Sequence, residues 1–168
     1  MLMRVIPKSG EEIPAVGLGT WQGFDIGQGR AERESCAQVL RNLFAAGGSM
    51  IDSSPMYGRA EEVTGDLLDG IEPKSKPFLA TKVYTNGEAV GISQIEESFR
   101  LLRTDVMDLF QIHNMVDWRT HLKTLRRLKA EGRVRHIGIT HYTRAALPQL
   151  AAIIRAEDID FVQLAYSL

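Results

Sequence analysis

One cysteine, Cys36, stands among 168 residues, so no disulfide closes within the chain. A zinc ribbon or an iron–sulfur cluster would need more thiolates than this. Neither sign of charge dominates: 20 basic and 21 acidic side chains leave a formal charge of −1. That balance gives no electrostatic reason to expect nucleic acid or an anionic membrane as a partner. No apolar stretch approaches the roughly 20 residues of a membrane span. The opening MLMRVIPKSG is too short and too polar for a secretory signal. No Pro/Ser/Gly linker, low-complexity tract or charge block divides the chain. These absences lead us to expect one domain over residues 1–168 in a reducing, cytoplasmic setting.

What is present is an alternation. Short runs of strand formers, Ala15–Trp21, Ser49–Ser53, Phe78–Val83, Val106–His113, Val134–Thr140 and Phe161–Ala165, are separated by stretches of helical period. Cys36, Val39, Leu40, Leu43 and Phe44 make one apolar stripe, and Ile92, Ile95, Phe99 and Leu102 a second. Trp118, Leu122, Leu125 and Leu128 make a third, stopped at Gly132, and Leu147, Leu150, Ile153 and Ile154 a fourth. Runs such as Met107, Leu109, Phe110 and Ile112 are apolar on both faces, as parallel strands covered on both sides require. The chain therefore reads as an α/β protein of about six β/α repeats. Arg4–Ile6 and Glu12–Pro14 around Lys8-Ser9-Gly10 add an N-terminal β-hairpin. Two architectures accommodate it: an open doubly wound sheet, or a (β/α)8 TIM-barrel type left incomplete, short of eight strands.

In a parallel β/α protein the C-terminal strand ends gather at one face and carry the site. Those ends deliver Thr20 and Trp21, Asp52 followed by Ser53-Ser54-Pro55-Met56-Tyr57, Lys82, His113-Asn114 and Thr140-His141-Tyr142. The last strand adds Gln163, with Tyr166-Ser167 just after. Taken singly, each has an ordinary structural explanation: a snorkelling lysine, a satisfied histidine, an aspartate in a turn. Taken together, Asp52, Tyr57, Lys82 and His113 form a proton-transfer group. A lysine beside a tyrosine favours the phenolate, so Lys82 is expected to lower the proton affinity of Tyr57, with Asp52 holding the ammonium. His113 would donate to a carbonyl oxygen. Such a group suits reducing a carbonyl or oxidising an alcohol with hydride supplied from outside.

The segments GLGTW (Gly17–Trp21), IDSSPMYGRAEEVTG (Ile51–Gly65), ATKV (Ala80–Val83), DLFQIHN (Asp108–Asn114) and LKAEGRVRHIGITHY (Leu128–Tyr142) resemble, in order and spacing, the aldo-keto reductases. The resemblance runs over nearly the whole chain. It implies a (β/α)8 barrel closed below by a hairpin, and NADP(H) bound without a Rossmann glycine loop. The substrate class it implies is a small-molecule carbonyl. It makes Tyr57 the catalytic acid–base, Lys82 and Asp52 the pair that tunes it, and His113 the residue that orients the carbonyl. Thr20 and Trp21 fall where the family lines the cofactor and substrate pocket. Gln163 matches a glutamine that bonds the nicotinamide carboxamide. Thr140 and His141 fall where many members carry Ser-Asn for that carboxamide, His141 being a departure. Non-catalytic regulatory members of the same fold and metal-dependent barrel hydrolases are the alternative readings.

A complete barrel needs about 250 residues. The resemblance therefore implies a chain truncated after its sixth strand, which keeps the proton-transfer group and lacks most of the cofactor's phosphate contacts. Three further features have ordinary explanations. The four histidines, His113, His121, His136 and His141, fit no paired-ligand spacing, so no metal is expected. Arg126, Arg127, Lys129, Arg133 and Arg135 surround a helix C-terminus, where cations are favoured. The glycine-rich segment Gln22–Gly29 lacks the context of a phosphate loop and reads as a loop beside the site. Oligomeric state has no signature in the sequence.

Overall fold

The apolar runs and stripes become strands and helices in the expected order. The structure, a computed structural model, describes residues 1–71 and 76–166; Ser167, expected beside the last strand, lies outside them. Strands β1 (Met3–Val5) and β2 (Glu12–Pro14) pair antiparallel as the expected hairpin. A parallel sheet follows: β3 (Leu18–Gly19), β4 (Met50–Asp52), β5 (Phe78–Val83), β6 (Met107–Ile112), β7 (Val134–His141) and β8 (Phe161–Leu164). Helices α1 (Arg30–Ala45), α2 (Ala60–Asp69), α3 (Glu88–Leu101), α4 (Trp118–Ala130) and α5 (Leu147–Ala156) make the crossovers. Strand order follows chain order from β3 to β8 without reversal. A doubly wound sheet reverses at a switch point, so this is the barrel arrangement, with six of its eight strands.

Every residue of β5 and β6 is buried, as strands covered on both faces must be. Register sorts their side chains into two layers. Leu79, Phe110, Ile137 and Ile139 pack outward among the helices with Leu40, Ile95, Leu125 and Leu150. Phe78, Ala80 and Leu109 turn inward and meet Ile6 from the hairpin, which plugs the lower end. Higher on the same inward rows sit Asp52, Lys82 and Gln111, with Lys82 registered against Gln111 and Thr140 against Gln163.

Several expectations need correction. The first strand is two residues long rather than seven, because Gly17 approaches Met50 closely and the chain turns inward at the fully buried Thr20. Val39, Leu147 and Ile154, counted in the apolar stripes, face outward, and Ala37 is buried in α1 instead of Val39. Helix α2 has no counterpart in the stripes, because its buried face is largely small and polar: Ala60, Glu61, Val63, Thr64 and Gly65. The basic cluster is neutralised side chain by side chain: Arg126 pairs with Glu157, Arg127 with Glu131, Lys129 with Asp160, Arg133 with Glu96, and Arg135 with Asp108 and Glu11.

Gly65 lets α2 approach the end of α3 so closely that a β-carbon there would run into the Leu101 carbonyl oxygen. Backbone cannot rotate away as a side chain can, so the helix-propensity gain of alanine is overwhelmed. Gly65→Ala is expected to cost about 2 kcal/mol, lowering the thermal midpoint by about 4–8 °C. A melting curve unchanged by the substitution would contradict this packing.

Candidate active site

The upper end of the sheet brings an ion pair into the interior. Lys82, on β5, is 1% exposed, and its Nζ lies 2.6 Å from Asp52 Oδ2. It also donates to the Ser53 carbonyl oxygen at 2.8 Å. Asp52 accepts in turn from Gln111 Nε2 at 3.1 Å and from Gln163 Nε2 at 3.3 Å. Three strands thus place one side chain each around the carboxylate that β4 supplies. Burial pushes the Lys82 ammonium down from its ordinary value, and Asp52 opposes that push.

Above this pair, Tyr57 turns the face of its ring towards Lys82, whose Nζ is 5.1 Å from the ring centre. Its ring meets His113 edge-on at 6.0 Å and Trp21 at 6.5 Å. Burial first, then the Asp52 charge, pushes the Tyr57 phenol up to about 12. This corrects the expectation that Lys82 lowers it: the ammonium is committed to Asp52 and Ser53, and the phenol keeps its proton at neutral pH. His113 is pushed down to about 4, by burial first and then by Lys82 and His141, so its ring is neutral at pH 7.

Tyr57, Lys82 and His113 line one open cavity of about 590 Å³, together with Trp21, Thr140, His141 and Gln163. Thr20 does not line it. Its hydroxyl, fully buried, bonds Ser53 Oγ at 2.9 Å, so it braces the Asp52 turn from beneath. Asp52 likewise lies behind the wall, reached through Lys82. At the opposite rim the Thr143 backbone N–H donates to His141 Nδ1 at 3.1 Å. A backbone N–H can only donate, so Nδ1 is an acceptor and the neutral ring carries its hydrogen on Nε2. His141 therefore offers a donor where the resembled pattern has an amide. The Asn114 N–H donates to Thr140 Oγ1 at 3.2 Å, with Asn114 in the left-handed region at φ 52.

Gln111, Ser54 and Tyr84 belong to the site without having been singled out for it. For Gln111 the signal was available: Leu109, Gln111 and His113 alternate along one face of the strand. The other two histidines lie elsewhere. His121 is buried on α4 with Nε2 2.7 Å from the Thr85 carbonyl oxygen, and His136 sits at the lower end beside Glu11. Among the described residues no three His, Cys, Asp or Glu side chains gather as a metal site would require.

The Aldo/keto reductase family model matches residues 15–168. The chain belongs to this family. The methylglyoxal reductase YeaE of Escherichia coli is 32% identical over 157 residues, covering 89% of this chain and 54% of that protein. Among solved structures, the thermostable aldo-keto reductase Tm1743, crystallised with the inhibitor epalrestat, superposes with a TM-score of 0.79 at 27% identity. It is matched over 99% of this chain and 63% of its own. An aldo-keto reductase from Klebsiella pneumoniae in complex with NADPH gives 0.71 at 28% identity, over 90% of this chain and 54% of its own. The chain thus spans about half the length of the curated relatives it matches.

The His113 environment has a consequence for folding. Its folded value of about 4 lies below the ordinary 6.5. The unfolded chain therefore binds the extra proton first as pH falls, and stability present above about 6.5 is lost through the window down to about 4. Thermal midpoints measured across that window are expected to fall less steeply for His113→Gln than for the unaltered chain. Parallel curves would contradict the assigned burial.

Proposed function

We propose that the chain carries the proton-transfer half of an NADPH-dependent carbonyl reductase. What carries the reading is the buried Lys82–Asp52 pair lying directly beneath Tyr57 on the wall of a cavity shared with His113. NADPH fits the opposite wall. The Nε2–H of His141 and the hydroxyl of Thr140 are donors for the nicotinamide carboxamide oxygen. The Gln163 carbonyl oxygen, without a partner among the described residues, is an acceptor for its amide. When bound, the cofactor supplies hydride.

The chain's own residues do the rest. His113 Nε2–H holds the carbonyl oxygen of the substrate, and Tyr57 gives that oxygen its proton. The phenol, pushed up to about 12, holds its proton at neutral pH, and a developing alkoxide is a strong enough base to take it. Lys82 supports the Tyr57 ring from beneath, and Asp52 keeps Lys82 charged and in place. The relative from Escherichia coli is named for methylglyoxal, and a small carbonyl of that kind suits a mostly apolar cavity with a few polar groups on its wall. The setting we infer is cytoplasmic. Full turnover belongs to a chain of the relatives' length, with residues 1–168 contributing the acid, its ion pair and the nicotinamide end.

Two measurements test this. In a chain of that length carrying these residues, Tyr57→Phe is expected to lower kcat for NADPH-dependent methylglyoxal reduction by about 10²-fold or more, with NADPH binding nearly intact. Undiminished turnover would remove Tyr57 from its role. On the 168-residue chain itself, NADPH is expected to quench Trp21 fluorescence only weakly, and tight saturable quenching would show that this span alone holds the cofactor.

A further inference from the structure

Ser54 stands directly behind His113, and what it does there rests on the reading just given. It lies in the turn after β4, 0% exposed, with its Oγ 3.1 Å from His113 Nδ1. The Met56 backbone N–H donates to the same oxygen at 3.2 Å and takes one of its two lone pairs. A hydroxyl has one hydrogen to give. Among the described residues the only acceptor within reach of it is His113 Nδ1. If Nδ1 carried the ring proton instead, the buried Ser54 hydrogen would have no acceptor, and an unmade buried hydrogen bond is costly.

We propose that Ser54 is a positioning residue that fixes His113 as the Nε2–H tautomer, so that the cavity meets a donor at that ring and never a lone pair. A carbonyl oxygen is an acceptor, and the other tautomer would turn acceptor against acceptor. His113 lines the cavity, and its Nε2 is neither bonded to a described residue nor sealed from solvent. The turn does not need the hydroxyl for its closure, because the Ser54 carbonyl oxygen accepts the Tyr57 N–H at 2.9 Å through the backbone. The side chain is therefore free to serve the ring. With His141 held by the Thr143 N–H, both rim histidines present Nε2–H, each fixed by a bond to its other nitrogen.

The test is a long-range proton–nitrogen NMR spectrum of the full 168-residue chain labelled with 15N-histidine at neutral pH. The His113 signals are assigned by their loss in His113→Gln. The unaltered chain is expected to show an unprotonated Nδ1 and a protonated Nε2 at His113. Ser54→Ala is expected to move the two nitrogen shifts towards each other as the tautomers mix, and Ser54→Thr, which keeps a hydroxyl, to restore the original pattern. A protonated Nδ1 in the unaltered chain, or shifts unmoved by Ser54→Ala, would overturn the proposal. Should Ser54→Ala not fold, the unaltered chain and Ser54→Thr still decide it, both being required to show Nε2–H. The readout needs neither cofactor nor turnover. Undiminished turnover in Tyr57→Phe would thus count against the function proposed above and leave this inference standing, whereas His113 shifts unmoved by Ser54→Ala would overturn this inference and leave that function standing.

Discussion

Everything at the upper end of the sheet depends on keeping one ammonium charged where almost no water reaches it. Moving a lysine into such a place costs several kcal/mol unless a counter-charge and further hydrogen bonds offset the loss. Here the offset comes from Asp52 and the Ser53 carbonyl for Lys82, and for Asp52 from Gln111 at Oδ1 and Gln163 at Oδ2. Each donor stands on a different strand, so the electrostatics hold only if the register holds. A slip of one residue in β5 would turn Lys82 into the helix layer and Thr81 into the interior. The ion pair is therefore as much a statement about strand alignment as about chemistry.

The interior below it keeps that charge apart from a second polar group. At the hairpin end, Asp108 accepts the Leu79 N–H and pairs with Arg135, which reaches Glu11 on the hairpin, with His136 alongside. Between the two ends lies the apolar layer of Ile6, Phe78, Ala80 and Leu109. The floor fastens the hairpin while the rim holds the candidate site, and residues two apart on one strand serve these different ends: Ala80 in the plug, Lys82 in the site. This is the division between a stabilising lower face and a reactive upper face that parallel barrels show.

Much of this was legible in the sequence. Parallel strands buried on both sides leave continuous apolar runs, so the six strands could be read while their order in the sheet stayed open between two architectures, and the strand ends pointed to Asp52, Lys82, His113, Thr140 and Gln163. Helix α2 was not legible, because Glu61, Thr64 and Gly65 on its buried face carry no apolar period. Nor was the sign of the Tyr57 shift. Spacing can place a lysine near a tyrosine, but which neighbour the ammonium faces, and how much water the phenol loses, are settled only by three-dimensional packing. Thr20 shows the same gap: the right position in the chain, one layer too deep in space.

Gln163 belongs to the last strand described, which pairs with β7 on one side and has no strand on its other side among the described residues. Edge strands fray more readily than central ones, since half their backbone groups face water. When β8 lifts, one of the two amides steadying Asp52 leaves with it, and the carboxylate gains freedom to rotate. The candidate site is thereby mechanically tied to the outermost described strand, so that anything packed on that edge also tightens the grip on the buried lysine.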